Sequence, residues 1–425
     1  MIKNILLLTA FISSLSFAQN FEKCGTHQLI QHQESLTPGY LQSVNETFSR
    51  AKDLQGGDRT TVYTIPVVVH IVYNTPQQNL HDSIIFNQID RLNEDFRRLN
   101  ADTINLRDTF MTLVGDSFIE FELASTDPDG NSTTGITRTS TSQASFFGVG
   151  GFPAEGVKST ANGGIDPWNQ ADYLNIWVCD MSIFGTPAVL GYATPPNNLS
   201  HWPPGSADNM SDGVVIQYQA FGGNNPNTID MGNGPMDIKG RTSVHEIGHY
   251  LGLRHIWADG GCTEEDGIDD TPNAADQSNF DCNIANNTCT DNIGTLGDLP
   301  DMVENYMDYS AETCQNSFTQ GQVDMMRSIL ENYRFELING TPYVGQTENS
   351  MPTVNIYPNP TNSNFVIDGI SSSTDEIVIF NEAGQIIHEI KQPTGKINVD
   401  GLLSGTYIVR ILSSEGVINK KLIVL

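Results

Sequence analysis

Basic residues are scarce in this chain of 425 residues: 21 lysines and arginines stand against 50 aspartates and glutamates. Such a surplus of negative charge repels polyphosphates and anionic bilayers, so nucleic acid and acidic membrane surfaces are poor partners for it. Its plainest use is solubility outside the cell, with calcium binding and attraction of basic substrates as further uses. Long apolar runs are missing as well. The run from Ile5 to Ile12 falls well short of the roughly 20 residues a helix needs to cross a bilayer, and no later stretch is long or apolar enough. No internal repeat is visible. Cysteine is limited to six positions.

The short apolar run has a purpose of its own. Lys3 precedes it and the small residues ending in Ser16, Phe17 and Ala18 follow it, which is the pattern of a secretory signal peptide over residues 1–18. A chain beginning near Gln19 loses one base and no acid, and stands near 20 − 50 = −30. Export would deliver it to the cell surface or beyond, where disulfides persist. Cys262, Cys282, Cys289 and Cys314 lie close together in a loop-rich stretch and suggest two local disulfides, with three possible connectivities. Cys24 and Cys179 lie far apart; they could pair, or Cys24 could be an idle thiol.

At this length more than one core is expected. Residues 19–59 read as a polar, loop-like pro-segment or flexible lead-in, with Arg50, Lys52 and Arg59 exposed. TVYTIPVVVHIVYNT is then dense in β-branched residues and predicts a buried strand. His70 within it reads as a core histidine, since it has no partner at ligand spacing. Ile84, Ile85, Ile89, Leu92 and Phe96 have helical spacing, and the helix should end by Asn100. FIEFELA, LNIWVCDM and VVIQYQA predict further strands. The order implies an α/β (α+β) domain over 60–340, with a twisted sheet and a helix packed on it. Residues 341–353 form a linker by composition. From 354 to 425, short strands split by turns (NFVID, EIVIF, QIIHEI, KINV, GTYIVRI, KKLIVL) predict an all-β sandwich.

The stretch RTSVHEIGHYLGLRH, Arg241 to His255, carries the chemistry. On a helix His245 and His249 are one turn apart on one face, where two imidazoles can reach one ion. Glu246 lies beside the first ligand and is placed to act as general base toward the attacking water. Gly252 can take a positive φ, ending the helix so that His255 returns as third ligand. Three nitrogens with one open position mark a catalytic rather than a structural zinc site. By chance the full HExxHxxGxxH pattern would arise on the order of once in ten thousand such chains or fewer. Zinc with a neighbouring carboxylate implies hydrolysis of peptide bonds without a covalent intermediate. A non-enzymatic surface adhesin with a vestigial metal site is the competing class.

HEIGHYLGLRH together with ENYMDYS, Glu304 to Ser310, resembles the metzincin clan of zinc peptidases, and the NYMDYS wording, the close cysteines and the phrase FTQGQ resemble its pappalysin family, in the cytophagalysin and ulilysin-like branch. The likeness covers roughly residues 60–335. It implies that Met307 forms the methionine turn beneath the metal, that Tyr309 stabilises the tetrahedral oxyanion, and that the disulfides are Cys262–Cys289 and Cys282–Cys314. It also implies that the loop DGIDDTP, whose oxygens suit calcium, binds that ion; Asp266, Asp269 and Thr271 are the ligand candidates. Cys24, in CGT, is similar to the family's latency cysteine, whose thiolate fills zinc's open position and leaves Cys179 a buried free thiol. Glu312, beyond the methionine turn, is expected at the base of the pocket for the residue after the cut, selecting arginine. Finally, VNIYPNPT, GTYIVR and KKLIVL resemble the sorting domain read by the type IX secretion machinery, over residues 354–425. The implied partners are protein or peptide substrates and that machinery.

Overall fold

A computed structural model describes residues 22–55, 59–150, 153–199, 211–230, 234–339, 355–368, 374–381, 386–391, 396–413 and 416–425. The signal peptide and the linker at 341–353 lie outside the described residues. Among these residues no helix is long and apolar enough to cross a membrane.

The lead-in is not loop-like. Strand β1 (Glu22–Cys24) is followed by α1 (Thr26–Leu36) and α2 (Tyr40–Asp53). Few apolar residues suffice because they are spaced to face the next domain: Leu29, Tyr40, Phe48 and Ala51 are all buried. These helices draw their stability from docking that apolar face rather than from any core of their own.

The domain after it supplies six strands of a seven-stranded mixed sheet. Strand β2 (Tyr63–Tyr73) is central, and α3 (Asp82–Phe96) leads from it to β3 (Ile119–Leu123) and β4 (Ile136–Ser140), both parallel to β2. Strand β5 (Leu174–Cys179) pairs with the other edge of β2, and a small hairpin of β6 (Ser182–Ile183) and β7 (Thr186–Pro187) leads into β8 (Val189–Ala193). Strand β9 (Val214–Gln217) lies between β5 and β8, and β8 runs antiparallel to it. β1 of the lead-in adds to the free edge of β8 in parallel, Cys24 opposite Gly191. The β-branched run of β2 is buried on both faces, as its composition requires. His70 on that strand is fully buried; its two ring nitrogens meet Thr137 Oγ1 at 2.7 Å and Asn175 Oδ1 at 2.9 Å.

Helix α4 (Arg241–Tyr250) packs against β8, β9 and α3, so its every residue is buried. Helix α5 (Gln320–Asn332), opened by a capping box of Thr319 and Gln322, and the short α6 (Glu336–Asn339) close this domain. The tail is all β, as its strand pattern predicts. β10 (Asn355–Tyr357), β11 (Asn364–Asp368) and β14 (Ile397–Asn398) form one sheet, and β12 (Thr374–Asn381), β13 (Ile386–Lys391), β15 (Gly405–Ser413) and β16 (Gly416–Val424) form the other. Phe365, Ile367, Ile377, Ile379, Val409 and Leu422 make their shared core.

Candidate metallopeptidase active site

Helix α4 delivers His245 and His249 one turn apart and then stops. Gly252 stands at φ +91°, where an added Cβ would press on Ile329, and Leu253 N donates back to Gly248 O at 2.9 Å. The chain turns, and His255 comes back to the same point. The three Nε2 atoms lie 3.0–3.2 Å from one another. Nitrogens bound tetrahedrally to one zinc ion would stand about 3.3 Å apart, so the donor set fits that metal. Burial, reinforced by the neighbouring imidazoles, holds His245 well below its usual range and His249 down to about 3. Both rings are therefore neutral, as metal ligation requires.

Each ring is fixed from behind. His245 Nδ1 donates to Tyr306 O at 2.7 Å, His249 Nδ1 to Leu253 O at 2.8 Å and His255 Nδ1 to Asp259 Oδ1 at 2.7 Å. Met307 lies directly beneath the helix: a Cβ on Gly248 would fall 2.5 Å from its sulfur, so only glycine permits this approach. Tyr309 packs beside His245 and His255, with ring centroids 5.6 and 5.0 Å away.

The lead-in occupies this site. Cys24 Sγ belongs to the same four-residue cluster as the three histidines, all four buried, with candidate ligand atoms within 4.8 Å of one another. Its thiol reaches Glu246 Oε2 at 3.2 Å, and Thr26 Oγ1 donates to that same oxygen at 3.2 Å. Glu246 Oε1 has no protein partner, and burial lifts the carboxyl to about 8. Tyr309 Oη accepts from Cys24 N and donates to Cys24 O. Lys23, itself buried, points into the segment beyond the methionine turn and donates to Asp308 O at 3.3 Å and Ser310 O at 3.1 Å. Burial pulls its ammonium below the usual range, while the charges of Glu312 and Asp308 oppose that fall.

Two expected positions are corrected. Glu312 does not present a free carboxylate to a pocket. It is buried, and its two oxygens accept from Lys239 N at 2.5 Å, Arg241 N at 3.0 Å, Thr242 N at 2.8 Å and Thr242 Oγ1 at 2.8 Å. The reason is local: the residue at the start of α4 is Gly240, which has no side chain to cap the helix, so a carboxylate from another segment does so. Asp269 does not join Asp266 and Thr271. Its side chain is 89% exposed and pairs with Lys52 of α2 at 2.6 Å, whereas Asp266 and Thr271 point inward. The neighbour that turns inward is Asp270, which accepts from Gly321 N at 2.8 Å. The disulfides are Cys262–Cys289 and Cys282–Cys314, and Cys179 is a buried free thiol.

Sequence reasoning passed over Asp259, Thr26 and Lys23. Asp259 could have been found four residues beyond His255, and the other two flank Cys24 within KCGT.

Comparison with known proteins agrees with this geometry. A family model described as pregnancy-associated plasma protein-A, peptidase family M43, matches residues 164–331, and one described as a secretion system C-terminal sorting domain matches residues 355–425. A mutant of Tannerella forsythia promirolysin is 39% identical, with a TM-score of 0.62 over 75% of this chain and 97% of that one. Mature mirolysin from the same organism, in complex with a cleaved peptide, is 42% identical, with a TM-score of 0.57 over 66% of this chain and 96% of that one. An extracellular metalloprotease of Arthroderma benhamiae is 33% identical over 40% of this chain, which spans about half (52%) of that relative's length. Matching the family model over its peptidase region and 39% identical to promirolysin over nearly that chain's whole length, the chain belongs to the pregnancy-associated plasma protein-A family of peptidases, and carries a secretion sorting domain behind its peptidase domain.

Proposed function

We propose that the chain is an exported zinc endopeptidase, produced in a latent form. The observation that carries this is the convergence of three imidazole nitrogens, 3.0–3.2 Å apart, beside the buried carboxyl of Glu246. His245, His249 and His255 would hold the ion. When bound, zinc supplies a Lewis acid that polarises the scissile carbonyl and acidifies water. Glu246 accepts the proton of the attacking water and passes it to the leaving amine; burial raises its pKa toward neutrality, which suits a group that must do both. Tyr309, now engaged with the carbonyl of Cys24, is within reach of a substrate carbonyl in the same place and would donate to the developing oxyanion. The substrate would lie along β8, the strand edge that β1 now covers.

Latency follows from the same contacts. The Cys24 thiol stands where the metal's fourth ligand belongs, and Thr26 with Cys24 occupies the oxygen of Glu246 that water would approach. A basic residue after the cut remains the preferred substrate feature, on a new footing. Lys23 shows a buried cationic side chain accommodated by the carbonyls of Asp308 and Ser310, near Asp308, whose Oδ2 has no protein partner. Calcium is supported by Asp266 alone among the expected carboxylates. Its Oδ2 and Asp270 Oδ1 are buried without partners, and burial raises Asp266 to about 8, a group that a divalent cation would keep ionised.

The deciding experiment pairs two variants. Glu246→Ala is expected to keep zinc and fold while peptide hydrolysis falls by about a hundred- to ten-thousand-fold. His249→Ala is expected to lose the metal, read as zinc per chain. Unchanged turnover in the first, or a full zinc complement in the second, removes the mechanism.

A further inference from the structure

The three ligand imidazoles are not held alike. His245 and His249 are backed by the neutral carbonyls of Tyr306 and Leu253, whereas His255 alone is backed by a carboxylate, Asp259 Oδ1 at 2.7 Å. The chain reaches that position by an unusual path. Ala258 and Asp259 have φ of +50° and +56°, a region that residues with a Cβ seldom enter unless the surroundings hold them there. Trp257 stacks on His255 with ring centroids 4.3 Å apart and planes 3° from parallel, so the ring is fixed on its face as well as at its edge. The second oxygen of Asp259 is also engaged. Oδ2 lies 3.3 Å from Nδ1 of His27, on the first turn of α1 in the pro-segment.

We propose that Asp259 is a positioning residue with two duties: it fixes the tautomer and orientation of His255 and strengthens its Nε2 as a zinc ligand, and it anchors the pro-segment through His27. A carboxylate behind a ligand imidazole makes the metal-facing nitrogen more basic and confines the ring to the productive angle. Because one side chain serves both contacts, loss of Asp259 weakens metal binding and pro-segment docking together, while loss of His27 weakens docking alone. This rests on the zinc reading above, and the test separates the two.

Zinc affinity is measured by chelator competition on the full chain carrying Cys24→Ala, so that the thiol contributes to no comparison. Adding Asp259→Asn keeps the size of the side chain and a residue type that tolerates positive φ. It is expected to weaken zinc binding by about ten- to a hundred-fold, with the melting temperature of the metal-free chain no lower than in the His27→Ala variant, which loses the docking contact alone. Amide hydrogen exchange of α1 should rise in the same variant. Adding His27→Ala instead should raise exchange in α1 and leave zinc affinity as it was. Unaltered zinc affinity in Asp259→Asn overturns the proposal, as does a metal-free melting temperature below that of His27→Ala, which would make Asp259 merely structural. If the parent Cys24→Ala chain itself binds no zinc, the zinc reading fails first and the proposal falls with it.

Discussion

At the scale of single residues, Glu312 shows how a carboxylate of the expected type in the expected segment can take another task. Its oxygens satisfy the otherwise orphaned donors of Lys239, Arg241 and Thr242 at the head of the metal helix, and Arg241 in turn donates to Glu312 O while pairing with Asp95 and Asp102. Glu312→Gln leaves one acceptor oxygen for several buried N–H groups. It is therefore expected to cost about 1–3 kcal/mol of stability and to slow cleavage of all peptides alike. Urea denaturation and a peptide-library digest check this together. An enrichment of arginine and lysine just after the cut should persist in the variant, because the atoms around Lys23 that support it, Asp308 O and Ser310 O, are untouched. A selective loss of arginine sites at undiminished stability would return the specificity role to Glu312.

At the scale of elements, β2 carries its own prediction. Burial depresses His70 to about 4, against the hydrogen bond its Nε2 makes to Asn175 Oδ1, which works to raise it. In the unfolded chain it titrates near its ordinary value of about 6.5. Between these values the unfolded state binds a proton that the folded state refuses. The stability His70 permits is thus full above about pH 6.5 and is lost as pH falls toward 4, at about 1.4 kcal/mol per pH unit. Comparing urea midpoints of the wild type and His70→Gln at pH 7 and pH 5 isolates the effect, since other titrating groups are common to both. The wild type should lose about 2 kcal/mol more than the variant; parallel losses would mean that His70 is protonated in the fold. β2, α3, β5 and β9 were legible because each is a run whose apolar period matches its burial. β8 was not legible, since VLGYA is short, contains glycine and is defined by its neighbours rather than by alternation. Helices α1 and α2 were hidden for a related reason: THQLIQHQESL is polar on its own and becomes a helix worth keeping only against the peptidase domain. The histidine cluster could be read because helical spacing is local, whereas the cap from Glu312 depends on a contact with Thr242 across 70 residues, taken up where Gly240 has no side chain to cap the helix.

At the scale of the whole molecule, the proposed latency would be spread along the lead-in rather than concentrated in one thiol. Beyond Cys24, β1 is hydrogen-bonded along β8, Lys23 is buried in the segment after the methionine turn, and Thr26 Oγ1 accepts from Ala193 N while holding Glu246. Further on, Arg254 lies 4.0 Å over the ring of Phe48, and Lys52 reaches Gly267 O at 2.8 Å and Asp269. Removing the thiol alone would therefore open the proposed metal position without clearing the cleft. Cys24→Ala precursor is expected to hydrolyse peptides at least about tenfold faster than the wild-type precursor, since one lost metal contact of about 1.4 kcal/mol already shifts the docked fraction by that factor. It should still fall short of the mature enzyme until α1 and α2 are cut away. Initial rates of the two precursors and of the processed chain, each scored by gel for an intact pro-segment, give the comparison. A Cys24→Ala precursor as silent as the wild type would assign latency to strand addition and to the Thr26 contact instead. Rates equal to those of the mature enzyme, with the pro-segment intact, would mean that β1 and the helices hold only through the thiol.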